Sequence, residues 1–226
     1  LAARENPELH DRHYAQAHTS ATGERIPFIL RNTIELDPLF LAMLEHETIL
    51  PLAEAIVGPG ARFCGQNVLR NQPGVAIDSW HVDDGLFYPV PEDVERHDPR
   101  IQLPVLWLTV QIALSDIDQP AHGPTEYVPG SHNSGRHPPK EGPLAFEGQE
   151  PVPIFCKAGD VYLHNPQCWH RGAPNASDRV RYLMQCQYGV DWAFRRFGWM
   201  NRVPVADEQL RTASDRLLAL LGRTRP

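Results

Sequence analysis

The 226 residues suit a single domain, and 42% apolar with 22% charged residues is the balance of a globular chain with a sizeable core. A net charge of −7 excludes a general electrostatic attraction to nucleic acid, since basic residues gather only in short pairs such as Arg195 and Arg196. The longest apolar stretch, 105–114, is interrupted by Thr109 and Gln111 and is far too short to span a bilayer.

In chain order, the first third reads as a helical part over about 1–58. Within 37–57 apolar residues recur as Leu39, Phe40, Met43, Leu44, Ile49, Leu52, Ala53, Ile56 and Val57, a helical period. Asp37 suits the N-cap, Pro38 the first turn and Gly58 the stop. The pattern then shifts. Segments 61–69, 105–114, 125–128, 160–164 and 180–188 are short, apolar or alternating, and bounded by turn residues, so they predict strands of a core over about 61–190. Residues 86–103 and 133–153 read as long loops over its mouth. Helical spacing returns over 207–221 and closes at Gly222. The layout predicts a mainly β barrel or sandwich with flanking α-helices, in one domain spanning 1–226. Cys64, Cys156, Cys168 and Cys186 form no CxxC pair and read as free thiols, which suits a cytoplasmic protein. No basic-then-apolar leader opens the chain, and its start at Leu1 suggests a longer native N-terminus.

Two blocks carry chemistry. In Ser79-Trp80-His81-Val82-Asp83-Asp84-Gly85, extended backbone turns the side chains of His81 and Asp83 to one side, whereas Asp84 falls on the other. An imidazole and a carboxylate joined by one distant histidine hold a metal on one face and leave the opposite face open to reactants. The second block runs from Gly159-Asp160 through His164 to Trp169-His170-Arg171-Gly172, and after the turn residues Pro174 to Asp178 reaches Arg181. His170 and Arg181, eleven residues apart, are expected on adjacent antiparallel strands, both pointing inward. The guanidinium fork of Arg181 suits the far carboxylate of a bidentate ligand.

Taken together, Trp80-His81-Val82-Asp83, Gly123-Pro124-Thr125, Val128-Pro129-Gly130-Ser131-His132, Gly159-Asp160, His170, the turn 172–177 and Arg181 resemble the phytanoyl-CoA dioxygenase family of iron(II)- and 2-oxoglutarate-dependent oxygenases. Order and spacing agree over about two-thirds of the chain, from about residue 36 to 188. The resemblance implies a double-stranded β-helix (a jelly roll, cupin-like), with Fe(II) on His81, Asp83 and His170, and O2 and 2-oxoglutarate as co-reactants. It implies that Arg181 pairs with the distal carboxylate of 2-oxoglutarate and that Thr125 donates to it. Ser79, and Gln66 or Asn67 on the preceding strand, are further positions for a cosubstrate contact. The chain departs from the family at His122, where Asn is frequent. Retention of Asp83, which related halogenases lack, points to oxygenation.

Ordinary roles account for other candidates. His10, His13, His18, His46, His97 and His137 read as surface histidines, His132 as a turn residue, and Asn175 and Ser177 as turn fixers. His164 competes with His170 as ligand, but Arg181 and the turn are spaced for His170. Trp192, Phe194 and Trp199 read as packing for the C-terminal helix, and Phe87-Tyr88 as a better pocket wall. Two rival readings are a metal-dependent hydrolase or isomerase and a non-catalytic binding homologue. The expected partner is a small metabolite that is hydroxylated. Its identity and the oligomeric state are left open.

Overall fold

The computed structural model describes residues 14–19, 25–198, 200 and 203–226. Its strands form two antiparallel sheets. The larger holds β1 (Tyr14–Thr19), β2 (Arg25–Arg31), β3 (Arg62–Asn71), β5 (Trp107–Ala113), β8 (Val161–His164) and β10 (Arg181–Gly189), in the order β1-β2-β3-β10-β5-β8. The smaller holds β4 (Ile77–His81), β6 (Thr125–Tyr127), β7 (Val152–Ile154) and β9 (His170–Gly172), in the order β4-β9-β6-β7. From β3 onward the chain passes back and forth between the sheets, with only β6 and β7 consecutive in one of them, which is the jelly-roll arrangement.

The outer face of the larger sheet is covered by helices α1 (Pro38–Ala42), α2 (Ile49–Val57), α4 (Asp207–Thr212) and α5 (Asp215–Leu221). Leu44, Leu50 and Ala53 meet Phe63, Val110, Cys186 and Tyr188 there, with Leu217, Leu218 and Leu221 closing the other side. The inner face of the same sheet looks towards the smaller one. β5 is therefore covered on both faces, and all seven of its residues are buried. That is why its sequence reads as a run rather than an alternation.

Several expectations change. The N-terminal part is not wholly helical: β1 and β2 extend the larger sheet ahead of the first helix. Helix 37–57 breaks after a 3-10 turn at Met43–Glu45 and restarts at Ile49. Pro51 explains the restart, because a continuous helix would need its missing N–H, whereas the first turn of α2 does not. Asp37 does cap α1, accepting from Leu39 N at 2.8 Å. The C-terminal helix likewise divides, and Ser214 caps its second half by accepting from Leu217 N at 2.9 Å. An unforeseen helix, α3 (Asp191–Arg196), follows β10.

The loops 86–103 and 133–153 pack on one another instead of covering the mouth. Arg136 donates to the carbonyls of Pro91, Glu92 and Val94, and His97 N donates to Asn133 O. His97 is thus half-buried, bonded through Nε2 to Tyr88 O at 2.6 Å, rather than a free surface residue. His10, His13 and Trp199 lie outside the described residues. All four cysteines are free, and no described helix is long and apolar enough to cross a membrane.

Candidate active site

The paired positions His81 on β4 and His170 on β9 face each other across the smaller sheet, with ring centroids 4.2 Å apart. Beyond the end of β4, Val82 turns into an apolar cluster with Val128 and Trp169, so Asp83 emerges on the side of His81. Its backbone is tied across to the β8–β9 turn, Asp83 N donating to Pro166 O at 2.9 Å. Asp84 then takes φ +60°, a left-handed conformation that turns the chain away immediately after the carboxylate. One ligand atom from each of His81, Asp83 and His170 lies within 4.8 Å of the other two, the one such set among the described residues.

Both imidazoles are held in one tautomer. His81 Nδ1 lies 2.7 Å from Ser79 O and His170 Nδ1 lies 2.8 Å from Cys168 O; carbonyls only accept, so each Nδ1 carries the proton. Each Nε2 lone pair is left for a cation while Nδ1 is tied to a backbone carbonyl, the arrangement that metal-binding histidines use. Burial, reinforced by His81, pushes His170 down to about 3, so its ring is neutral. Burial, with the charge of Asp84 adding to it, pushes Asp83 up to about 7. Two imidazoles that each turn Nε2 inward and a carboxylate short of a counter-charge form a donor set that fits a divalent transition metal.

Directly alongside, the inner face of the larger sheet is banded. Arg181 pairs with Asn71; the next row is Ile29, Leu69, Leu183 and Ala113; then come Arg31, Asn67, Gln185, Gln111 and Tyr162 across five strands. Gln187, Gly65, Thr109 and His164 make the following row. Alternation along β10 thus puts Arg181, Leu183, Gln185 and Gln187 on one face, as expected. A cavity of about 550 Å³ between the sheets is shared by His81, Asp83, His170, Thr125, Arg181 and the carboxamides of this face.

Arg181 is only 2% exposed. It donates through Nη1 to Gly123 O and through Nη2 to Asn71 Oδ1 at 3.0 Å, while its buried Nε has no partner. Among the described residues no carboxylate pairs with it. A buried guanidinium with a free donor and no counter-ion fits an incoming carboxylate. Thr125 stands by it, its Oγ1 accepting from Tyr162 at 3.0 Å.

The expected strand adjacency of His170 and Arg181 does not hold. β9 pairs with β4 and β6, and β10 with β3 and β5, so the two residues come from opposite sheets and meet across the interior. The intervening loop crosses between the sheets and is pinned there, Asn175 Nδ2 donating to Asn71 O and Arg179 O. Gln66 borders the cavity, but its carboxamide is taken up on the helix-facing side of β3, accepting from Thr33 and donating to Phe40 O at 2.9 Å. Asn67 faces inward. Ser79 sits in an irregularity of β4 between the paired Ile77 and His81, is exposed, and serves through its carbonyl rather than its hydroxyl. Phe87 and Tyr88 line a separate small crevice. His122 ties its loop by contacts with Asp118, Gln119 and Arg179. Sequence reasoning missed Asn71, Tyr127 and Tyr162; the alternation of β8 carried a signal for Tyr162, since it shares a face with His164.

A family model described as phytanoyl-CoA dioxygenase matches residues 3–183. Among solved structures, EvdMO1 is 22% identical with a TM-score of 0.56; the match covers 79% of this chain and 39% of that one. The non-haem α-ketoglutarate-dependent epimerase SnoN from nogalamycin biosynthesis is 20% identical, with a TM-score of 0.58 over 84% of this chain and 71% of that one. HygX from Streptomyces hygroscopicus, with nickel and 2-oxoglutarate bound, is 16% identical, with a TM-score of 0.55 over 84% and 77%.

Proposed function

The chain belongs to the phytanoyl-CoA dioxygenase family, and on that premise we propose that it hydroxylates an unactivated C–H bond of a small polar metabolite. His81, Asp83 and His170 would hold iron(II), and Arg181 would hold the distal carboxylate of 2-oxoglutarate. When bound, iron(II) with 2-oxoglutarate and O2 supplies the oxidising power for the C–H bond, the cosubstrate leaving as succinate and CO2.

Arg181 carries the reading. Its charge is buried, lacks a counter-ion and opens into the same cavity as the three candidate ligands. A metal-dependent hydrolase gives it no obvious duty, which counts against that reading. Gly123 O and Asn71 Oδ1 hold two of its nitrogens and so fix the plane of the fork. The apolar row of Leu69 and Leu183 lies between this anchor and the carboxamide row, a dry strip suited to the methylene groups of a dicarboxylic acid. The side chains of Asn67, Gln185 and Gln187 make no hydrogen bond among the described residues and face the remaining cavity. Gly65 gives Gln187 its place, because any Cβ at 65 would collide with the Gln187 amide. A wall of carboxamides supports a substrate rich in hydroxyl or amide groups over a bare acyl chain. SnoN shares the fold and is an epimerase, so the hydroxylation outcome belongs to the proposal, not to the fold.

The test is anaerobic protein loaded with iron(II) and titrated with 2-oxoglutarate, read by the weak visible charge-transfer band of their chelate. Wild type should develop the band, and Arg181→Ala should need at least thirtyfold more cosubstrate, from the roughly 2–5 kcal/mol lost when one partner of a buried charged pair is removed. No band, with zinc recovered from the purified protein, would favour a hydrolase or isomerase instead.

A further inference from the structure

His164 lies beside the three candidate ligands without joining them. Its ring centroid is 4.2 Å from that of His170, the residue is 3% exposed, and its Nε2 is buried with no hydrogen-bond partner. The other ring nitrogen settles the tautomer. His164 Nδ1 faces Tyr127 Oη at 3.1 Å and Gln111 Nε2 at 3.4 Å. An amide nitrogen only donates, and a phenol can donate, so Nδ1 accepts and Nε2 carries the proton. The carboxylate nearest to that N–H is Asp83, whose Oδ2 lies 3.8 Å away, an electrostatic contact longer than a hydrogen bond.

The two oxygens of Asp83 are divided between neighbours. Oδ1 faces His81 Nε2 at 3.8 Å and His170 Nε2 at 3.7 Å, whereas Oδ2 faces His164. A carboxylate can bind a metal through one oxygen or both. If Asp83 swung both oxygens onto the ion, it would occupy a position that the reactants need.

Resting on the metal-centre reading above, we propose that His164 is a positioning residue whose Nε2–H holds Oδ2 of Asp83, restricting this carboxylate to ligation through Oδ1. Tyr127 completes the chain of support: its hydroxyl bonds His164 while its ring stacks on His170, with centroids 5.7 Å apart and planes inclined by 24°. One tyrosine thereby braces both the ligand histidine and the histidine that aims the carboxylate. The layout also explains why an imidazole spaced for a ligand is not one: its lone pair points at Tyr127 and Gln111, away from the ion.

Anaerobic titration of the metal-free protein with Co(II) tests this, reading both affinity and the visible ligand-field band. His164→Leu should weaken Co(II) binding by about 10–100-fold, the usual effect of losing an outer-shell partner, and should alter the band as Asp83 changes its mode of binding. Thermal unfolding of the metal-free variant reads the separate cost of leaving Tyr127 and Gln111 without their acceptor. His164→Gln restores an N–H donor of similar reach and should return affinity and band close to wild type. Wild-type affinity and spectrum in His164→Leu would overturn the proposal while leaving the metal centre standing. A His164→Gln variant as impaired as the leucine variant would also overturn it, because the N–H would then not be what matters. Failure of the wild type itself to bind Co(II) would instead remove the metal-centre reading on which the proposal rests.

Discussion

Asp83 is the residue whose chemistry a metal must change. In the metal-free protein burial, helped by Asp84, raises it to about 7, while burial and His81 keep His170 neutral. A cation therefore competes with the proton on Asp83. Below pH 7 the carboxyl is protonated and must lose its proton to bind. Each unit of acidification should weaken apparent affinity about tenfold, and above pH 7 the dependence should flatten. Co(II) affinity measured from about pH 5.5 to about pH 8.5 checks this, and a flat profile through the acid range would mean that Asp83 is already ionised there. The approach of His81 and Asp83, two of the candidate ligands, is legible in the sequence because they occupy i and i+2 of extended chain, a relation that needs no knowledge of the fold. Gln66 and Asn67 are not separable that way. Which one faces the cavity depends on what covers the other side of β3, and α1 and its neighbours take Gln66.

At the scale of elements, the anchor for the expected cosubstrate is built by turns that bring distant segments together. Gly123 has φ +64°, and a Cβ there would stand 2.7 Å from Ala173 O and 2.9 Å from Asn175 N, both backbone atoms of the crossing loop. Its own carbonyl accepts from Arg181. Gly123→Ala combines a strained dihedral with a clash against backbone that cannot step aside, and should cost at least about 2 kcal/mol. It should also raise the concentration of 2-oxoglutarate needed for the charge-transfer band, because moving the carbonyl tilts the guanidinium. Denaturant unfolding and the band titration read the two effects; a variant as stable as wild type would show that the loop has slack. Strands were legible wherever a run was bounded by turn residues, but their pairing was not. Residues 173–180 read as a hairpin turn by composition, and only the pairing of β9 with β4 and β6, and of β10 with β3 and β5, shows that the chain crosses to the opposite sheet. Pro51 carried the break in the long helix in plain view, outweighed by an apolar period that continues through it.

For the molecule as a whole, the site sits on the seam between the two sheets. His81, His170 and Thr125 come from the smaller, Arg181 and the carboxamides from the larger, and Asp83 from the turn that leaves the smaller one. A metal alone would cross-link elements of one side. 2-Oxoglutarate alone would neutralise Arg181 but have nothing to chelate it at the other end. Only the pair would span the seam, so their effects on global stability should exceed the sum of the separate ones. With both ligands at about a hundred times their Kd, linkage adds about 2.7 kcal/mol per site. For a chain of this length that corresponds to a rise in Tm of about 5–10 °C. Thermal unfolding should therefore show a small shift with Co(II), a smaller one with 2-oxoglutarate, and a larger one with both. Asp83→Ala should abolish the metal shift and the excess, while Arg181→Ala should keep the metal shift and lose the excess. Strictly additive shifts in the wild type would place the two ligands apart, and the cavity shared by Arg181 and the metal-ligand candidates would then not be where they meet.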